Sequence, residues 1–99
     1  MKRKVKELIK EVRHSSADVR IGKAGVSERV LSEIKRRLKE KGVIKVKMLK
    51  SALKVEGKDR FEIAKEVAEK VGARLIEVRG RTFILLLPEE VEKKLKTPS

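Results

Sequence analysis

Five large apolar residues stand in a row at residues 83–87, FILLL, in a chain whose residues are 43% charged. A short unbroken apolar run of this kind indicates a strand that is covered on both faces or lies in the middle of a sheet. Residues 73–79, ARLIEVR, predict another strand, and Gly80 is the turn between the two. The end of the chain therefore predicts a hairpin, with a strand at residues 81–87 that needs partners on both sides.

The preceding segments alternate between helix and strand. Apolar residues at Val5, Leu8, Ile9 and Val12 predict an amphipathic helix over residues 2–14. A second helix is predicted between its N-cap, Ser27, and the glycine at residue 42. A third is predicted from the Asp59–Glu62 capping box to the glycine at residue 72. We expect the third helix to bury an apolar stripe that consists of Phe61, Ala64, Val67, Ala68 and Val71.

Two further strands are predicted, at residues 19–21 and 43–49. The second alternates strictly, with Ile44, Val46 and Met48 on one face and Lys45 and Lys47 on the other, so its outer face is basic. Residues 50–59, KSALKVEGKD, are interpreted as a charged loop.

The resulting order, α-β-α-β-α-β-β, predicts an α/β fold (an α+β two-layer arrangement) with a four-stranded mixed sheet and helices packed on it. We expect one domain over residues 1–87 and a charged tail over residues 88–99. The tail can form a short helix with Val91 and Leu95 against the body. Either that segment or the first helix could cover the second face of the sheet.

The charge is unevenly distributed along the chain. The formal net charge is +13, and residues 1–50 hold 17 basic and 6 acidic side chains against 11 and 9 in the remainder. A lysine- and glutamate-rich surface selected for thermal stability would explain the charged fraction but not this asymmetry. A one-sided excess is typical of proteins that bind a polyanion.

Several classes of function are excluded by what the sequence lacks. There is no cysteine, and the one histidine, His14, stands at a helix end as a solvated side chain. No metal-ligand spacing or nucleophile–base pair is present, so we expect no enzyme activity, no cofactor, no metal and no small-molecule substrate. No signal peptide and no apolar run of roughly 20 residues occur, which predicts a cytoplasmic protein without membrane association.

The segment IGKAGVS at residues 21–27 is the strongest candidate site. It lacks the spacing of a P-loop and the third glycine of a dinucleotide-binding loop. Two glycines allow a phosphate to approach the main chain, the helix start offers amide groups, and Lys23 adds a charge. The alternative is a tight strand-to-helix turn without a ligand.

Basic residues surround this segment. Arg20 precedes it, Arg29 and Arg36 follow on one face of the second helix, and Arg79 and Arg81 flank the Gly80 turn. Because both phenylalanines are predicted to be buried and Trp and Tyr are absent, we expect phosphate and 2′-hydroxyl contacts without base stacking.

Four segments together resemble the CRM domain family, whose single-domain members are YhbY-like proteins. They are IGKAGV (21–26), IKVK (44–47), IAKEVAEKVGA (63–73) and VRGRT (78–82), in an order and spacing that agree over residues 5–87. The resemblance implies a fold related to the C-terminal domain of bacterial translation initiation factor 3, with strand order one, two, four, three. It also implies binding of RNA, with rRNA or a precursor of the large ribosomal subunit as partner; related domains in plants act in intron splicing.

The family's loop maps onto residues 22–25, and its hairpin Gly-Arg maps onto Gly80 and Arg81. Three departures are visible: Leu85, Leu86 and Leu87 stand where many relatives have Leu-Tyr-Arg, the loop after Leu49 is longer, and the tail has no counterpart. The expected RNA contacts are Arg20, Gly22, Lys23, Ala24, Gly25, Arg29, Arg36, Lys45, Lys47, Arg79, Gly80 and Arg81.

Two other functions fit the sequence. One is an Alba-like protein that coats DNA or RNA without regard to sequence, and the other is a translation or assembly factor whose partner is a protein. The second glycine and the Gly-Arg-Thr hairpin favour the CRM-like interpretation. We expect a monomer that acts on RNA.

Overall fold

The structure is a computed structural model that describes residues 2–95, and the side chains of residues 4–94. It confirms the predicted fold class: helices pack on both faces of a four-stranded mixed sheet. The elements are α1 (Lys2–His14), β1 (Val19–Ile21), α2 (Glu28–Lys41), β2 (Val43–Met48), α3 (Lys50–Glu56), α4 (Arg60–Val71), β3 (Arg74–Arg79), β4 (Thr82–Leu86) and α5 (Pro88–Leu95).

The ends of α2 and α4 are fixed by the capping groups that the sequence predicts. Ser27 Oγ accepts a hydrogen bond from the Val30 amide at 3.2 Å. Asp59 and Glu62 form a reciprocal capping box, in which each side chain accepts from the other residue's amide at 2.9 and 3.1 Å. Both pairs satisfy amides that a helix start leaves without an acceptor, so these helices begin where predicted.

The predicted loop at residues 50–59 is wrong over its first seven residues, which form α3. Ala52 is fully buried in the core and Leu53 packs against it. The Gly57 amide closes the helix on the Leu53 carbonyl at 3.0 Å, with a positive φ of 64° that suits glycine. So short a helix, with one fully buried residue among charged ones, gives too little periodicity to be recognised in the sequence.

The predicted apolar stripe of α4 is also wrong at one end. Ile63 is fully buried, whereas Phe61 leaves 47% of its surface exposed. Phe61 has the correct angular position for the stripe, because it lies seven residues before the buried Ala68. It lies in the first helical turn, however, where neighbouring Arg60 reaches the β3–β4 turn beyond the end of the sheet. The core does not extend that far.

The strand order is β1-β2-β4-β3, as the resemblance implies. β1 runs parallel to β2, and β4 is antiparallel to β2 and β3 on its two sides. The apolar run that predicted an interior strand is therefore explained: β4 lies between two partners, and its residues alternate between two apolar cores. β3 carries a bulge between Leu75 and Glu77.

Helices α2, α3 and α4 cover one face of the sheet and form the larger core. Helices α1 and α5 share the other face, where Val12 and Val91 pack with Val43, Ile84 and Leu86. The first helix and the tail segment, which the sequence offers as alternative covers for the second face of the sheet, therefore both cover it. Leu95, which was also expected to contact the body, lies outside the described side chains. The Arg13 guanidinium binds both carboxylate oxygens of Glu77, with distances down to 2.7 Å, and joins α1 to β3.

Candidate nucleic-acid interface

One end of the sheet gathers the segments that were singled out in the sequence. The Leu49 amide donates to the Ile21 carbonyl at 2.9 Å, and the Met48 amide donates to the Arg81 carbonyl at 2.7 Å. The end of β2 therefore lies between the loop at residues 22–25 and the Gly80 turn. Hereafter these residues, 22–25, are called the glycine loop.

The glycine loop is a tight turn that exposes its tip. The Gly25 amide donates to the Gly22 carbonyl at 2.9 Å, which closes the turn and leaves Lys23 and Ala24 exposed. Gly25 is buried and has a φ of 70°, a conformation that residues with a β-carbon rarely adopt. Gly22 has no such constraint, and a β-carbon there would make an ordinary contact with Leu49 at 3.7 Å.

An acidic side chain that sequence reasoning missed holds the base of this loop. The Glu56 carboxylate, at the end of α3, accepts a hydrogen bond from the Val26 amide at 2.7 Å. A β-carbon on Gly25 would overlap the same carboxylate. Glu56 is 30 residues from Val26 in sequence, and the sequence predicts a loop at residues 50–59, so no sequence pattern pairs the two residues.

Three amides near the start of α2 are thus already occupied: Val26 by the Glu56 carboxylate, Ser27 by the Gly25 carbonyl, and Val30 by Ser27 Oγ. The amides of Lys23 and Ala24 at the loop tip have no acceptor among the described residues. Those of Glu28 and Arg29 lie in the first helical turn, where no intrahelical acceptor exists. These four groups are the donors that a bound anion could use.

A depression of about 620 Å³ lies beside the loop. Six of the predicted contact residues line it: Arg20, Gly22, Lys23, Ala24, Gly25 and Arg29. Two acidic residues, Asp18 and Glu33, line it as well. The fold thus brings Arg20, which precedes the glycine loop in sequence, and Arg29, which follows it, to the same depression.

Both acids of the depression are paired. Asp18 accepts hydrogen bonds from the Lys41 ammonium at 2.6 Å and from the Lys45 amide at 2.9 Å. Glu33 binds Arg36 and Arg37, whose hydrogen bonds, Arg36 first, hold the pKa of its carboxyl below the usual range. Lys41, Arg36 and Arg37, which neutralise these acids, do not line the depression. The basic residues that do line it are therefore not neutralised by Asp18 or Glu33.

A row of polar side chains crosses the sheet next to the depression. Strand register pairs Arg20 with Lys47, Lys47 with Thr82, and Thr82 with Arg79. Residues paired across neighbouring strands point to the same face, which here is the face opposite the buried Ile21 and Phe83. Three cations of this row, Arg20, Lys47 and Arg79, therefore lie on one face of the sheet. It is the same face that α1 covers farther along the strands.

The predicted contact residues fall into two groups. Within residues 4–94, no ion pair or side-chain hydrogen bond is formed by Arg20, Lys23, Arg29, Lys47 or Arg81. Hereafter these five are called the unpaired cations. Arg79 is exposed, and its Nε atom lies 3.6 Å from a Glu77 carboxylate oxygen, which is a long distance for an ion pair.

Arg36 and Lys45 have structural partners. Arg36 binds Glu33 at 2.7 Å and Glu40 at 3.1 Å on its own helix. The Lys45 ammonium donates to the carbonyls of Arg13 and Ser15 at 2.9 and 3.1 Å. It therefore caps the carboxyl end of α1, where a helix leaves carbonyls without donors.

Two findings concern other chemistry. No group of three or more His, Cys, Asp or Glu side chains that could hold a metal ion occurs among the described side chains. None of the helices within residues 2–95 is long and apolar enough to cross a bilayer.

Comparisons with known proteins place this geometry in context. The sequence profile of the CRS1/YhbY (CRM) domain family matches residues 1–86. A Methanocaldococcus jannaschii protein that is called a probable RNA-binding protein is 40% identical over 92 residues. The match covers 92% of this chain and 66% of the relative, so the chain spans just under two thirds of that protein's length.

A solved structure shows the same fold. It is the solution structure of a hypothetical Staphylococcus aureus protein described as a candidate RNA-binding protein, and it superposes with a TM-score of 0.64. The two chains are 22% identical, and the superposition covers 82% of this chain and 80% of the other. At this identity the likeness concerns the fold alone.

Proposed function

The chain belongs to the CRS1/YhbY (CRM) domain family, and from this premise we propose that it is a non-catalytic RNA-binding protein. The observation that carries the proposal is the position of the five unpaired cations around the glycine loop and along the adjoining sheet. Cations without internal partners, beside amides without acceptors, are suited to phosphate oxygens. The name of the Methanocaldococcus jannaschii relative, a probable RNA-binding protein, agrees with this function.

In the proposed complex, one RNA phosphate binds at the tip of the glycine loop. The amides of Lys23 and Ala24 donate to its oxygens, and the Lys23 and Arg29 side chains neutralise its charge. Arg20 and Lys47 bind neighbouring phosphates along the row, and Arg81 binds one beside the end of β2. Because a phosphate backbone carries no base identity, these contacts position the RNA without reading its sequence.

The finer assignment follows from the resemblance to YhbY-like proteins. We propose that the RNA is rRNA, in the large ribosomal subunit or its precursor, and that the protein acts as a cytoplasmic monomer in ribosome biogenesis. Crosslinking in cells followed by sequencing of the attached RNA tests this assignment. Recovery of intron or tRNA fragments in place of rRNA would overturn it.

The salt dependence of binding tests the contact surface. If each unpaired cation neutralises one phosphate, the log–log slope of affinity against salt on a duplex should be about −4.5. Lys23→Ala, Arg29→Ala and Arg81→Ala should each weaken binding and reduce the magnitude of the slope by about 0.9. Arg36→Ala is the matched control, because it removes a cation from the same helix as Arg29 but one that is paired with Glu33 and Glu40.

Equal slopes in all four variants would contradict the proposed surface. Equal affinity for random double-stranded DNA and for structured RNA would instead indicate an Alba-like coating protein. Retention of protein partners after nuclease treatment, without RNA affinity of the isolated chain, would indicate a protein-binding factor.

A further inference from the structure

Phe61 is the aromatic side chain that the fold leaves open to solvent. The sequence contains two phenylalanines and no Trp or Tyr. Phe83 is fully buried, whereas Phe61 exposes 47% of its surface. A ring exposed to this extent contributes little to the core and leaves aromatic surface accessible to a ligand.

A guanidinium group connects this ring to the turn of the β3–β4 hairpin. The Arg60 Cζ atom lies 4.8 Å from the centre of the Phe61 ring, within the range of a cation–π contact. The same guanidinium donates from Nη1 to the Gly80 carbonyl at 3.1 Å. Ring, guanidinium and turn therefore form one unit at the end of the sheet that also carries the glycine loop.

The charge around the ring selects the class of ligand. Gly80 stands between Arg79 and Arg81, both exposed, and Arg60 itself is positive. An apolar surface of a protein partner would bring no charge to these three arginines. A nucleotide offers both kinds of contact: its planar base can stack on the ring, and its phosphate can bind the arginines.

We propose that Phe61 and Arg60 form a stacking platform for an unpaired nucleobase, with Arg81 holding the adjoining phosphate. The proposal rests on the proposed RNA binding and adds a property to it. A base inside a duplex is already stacked and paired, so only an unpaired nucleotide can use the platform. The preferred RNA therefore has a bulge or loop next to a helical backbone.

Two RNA hairpins test the platform, both closed by the same non-nucleotide linker, so that neither has a loop of unpaired bases. One stem is fully paired, and the other carries a bulge of three adenosines. The wild-type protein should prefer the bulged hairpin. Phe61→Leu, which keeps an apolar side chain but has no π face, should lower affinity for it by about five- to tenfold. Affinity for the paired hairpin and the salt slope should stay unchanged, because no phosphate contact is removed.

Phe61→Trp is the second variant, and it should retain the preference for the bulge. It also introduces the sequence's single tryptophan. Stacking on adenine should quench its fluorescence when the bulged hairpin is added, and addition of the paired hairpin should have much less effect. Circular dichroism of both variants checks that α4 is intact, as expected for a substitution at an exposed position.

The outcomes separate the two proposals. If the wild type binds neither hairpin, RNA binding fails and the platform fails with it. If the wild type binds both hairpins and Phe61→Leu changes neither affinity, the platform alone is wrong and the contact surface stands. Equal quenching of Phe61→Trp by both hairpins would also overturn the platform, because the ring would then not distinguish unpaired bases.

Discussion

The Glu56 carboxylate binds the Val26 amide at 2.7 Å and ties the glycine loop to the end of α3. Two effects of this contact oppose each other. The negative charge weakens attraction for a phosphate, whereas the hydrogen bond holds the loop in one conformation. The two can be separated by substitution, because a glutamine keeps the acceptor oxygen and loses the charge.

Glu56→Gln should therefore bind RNA at least as tightly as the wild type. Glu56→Ala should bind less tightly despite the lost charge, because the Val26 amide loses its acceptor and the loop loses its support. We expect Glu56→Ala to cost about 1.5 kcal/mol in the free energy of unfolding, the lower range for a hydrogen bond to a charged group at a half-buried site. RNA titration and denaturant unfolding of both variants provide the measurement. Equal binding by the two variants would show that charge alone matters.

Gly25 should tolerate no side chain. Gly25→Ala should lose well over 1 kcal/mol of stability, because it combines a positive φ with an overlap on the Glu56 carboxylate. Gly57→Ala is the matched control, since Gly57 has a similar φ of 64° but open space at the β-carbon position; it should cost about 1 kcal/mol. Adding Glu56→Ala to Gly25→Ala should relieve part of the loss, a non-additivity that a double-mutant cycle detects.

Gly22 should behave differently from Gly25. Its φ is not positive and a β-carbon there would make only an ordinary contact with Leu49, so Gly22→Ala should unfold at nearly the wild-type denaturant concentration. A large loss of stability in Gly22→Ala would contradict the loop geometry described above.

The second core should depend on α5. Val91 is buried against Val43, Ile84 and Leu86, so Val91→Ala should lower the free energy of unfolding by about 1.5 kcal/mol. Lys93→Ala, on the exposed face of the same helix, is the control and should change stability little. Because α5 is separate from the unpaired cations, RNA affinity of the folded Val91→Ala protein should equal that of the wild type.

The Arg13–Glu77 pair should make stability depend on acid pH. The Arg13 hydrogen bond, more than any other interaction, lowers the pKa of the Glu77 carboxyl, and the charges of Arg79 and Lys45 act in the same direction. A lowered folded-state pKa means that the contribution is complete above the unfolded pKa, about 4.3, and is lost as pH falls through the folded-state pKa. The difference in the free energy of unfolding between wild type and Glu77→Gln should therefore be constant near neutral pH. It should become smaller as the pH falls through the folded-state pKa of Glu77.

Much of the fold could be predicted because the residues that start and end its helices lie close to them in sequence. Ser27, the Asp59–Glu62 capping box and the glycines at residues 42 and 72 act within a few residues of the helices that they limit. The interior position of β4 followed from its apolar run. The helix α3 could not be predicted, since its stability comes from burial of Ala52 under other elements.

The candidate site could be predicted only as a set of residue types. The sequence indicated the loop and the cations, but not which cations are occupied by structural partners. Lys45 caps a helix that ends about 30 residues earlier, a contact that depends on the packing of α1 on β2. The exposure of Phe61 was missed for a related reason: helical periodicity gives the angle of a side chain but not where the core ends.

The bulge in β3 has a consequence for the sheet as a whole. A straight outer strand offers its unpaired N–H and C=O groups to any other chain, which is a common route to aggregation. β3 interrupts that edge between Leu75 and Glu77 and carries exposed arginines at both of its ends, Arg74 and Arg79. The opposite edge, β1, has three residues, too few to template another strand. Both edges of the sheet are thus poor templates for a strand from another chain.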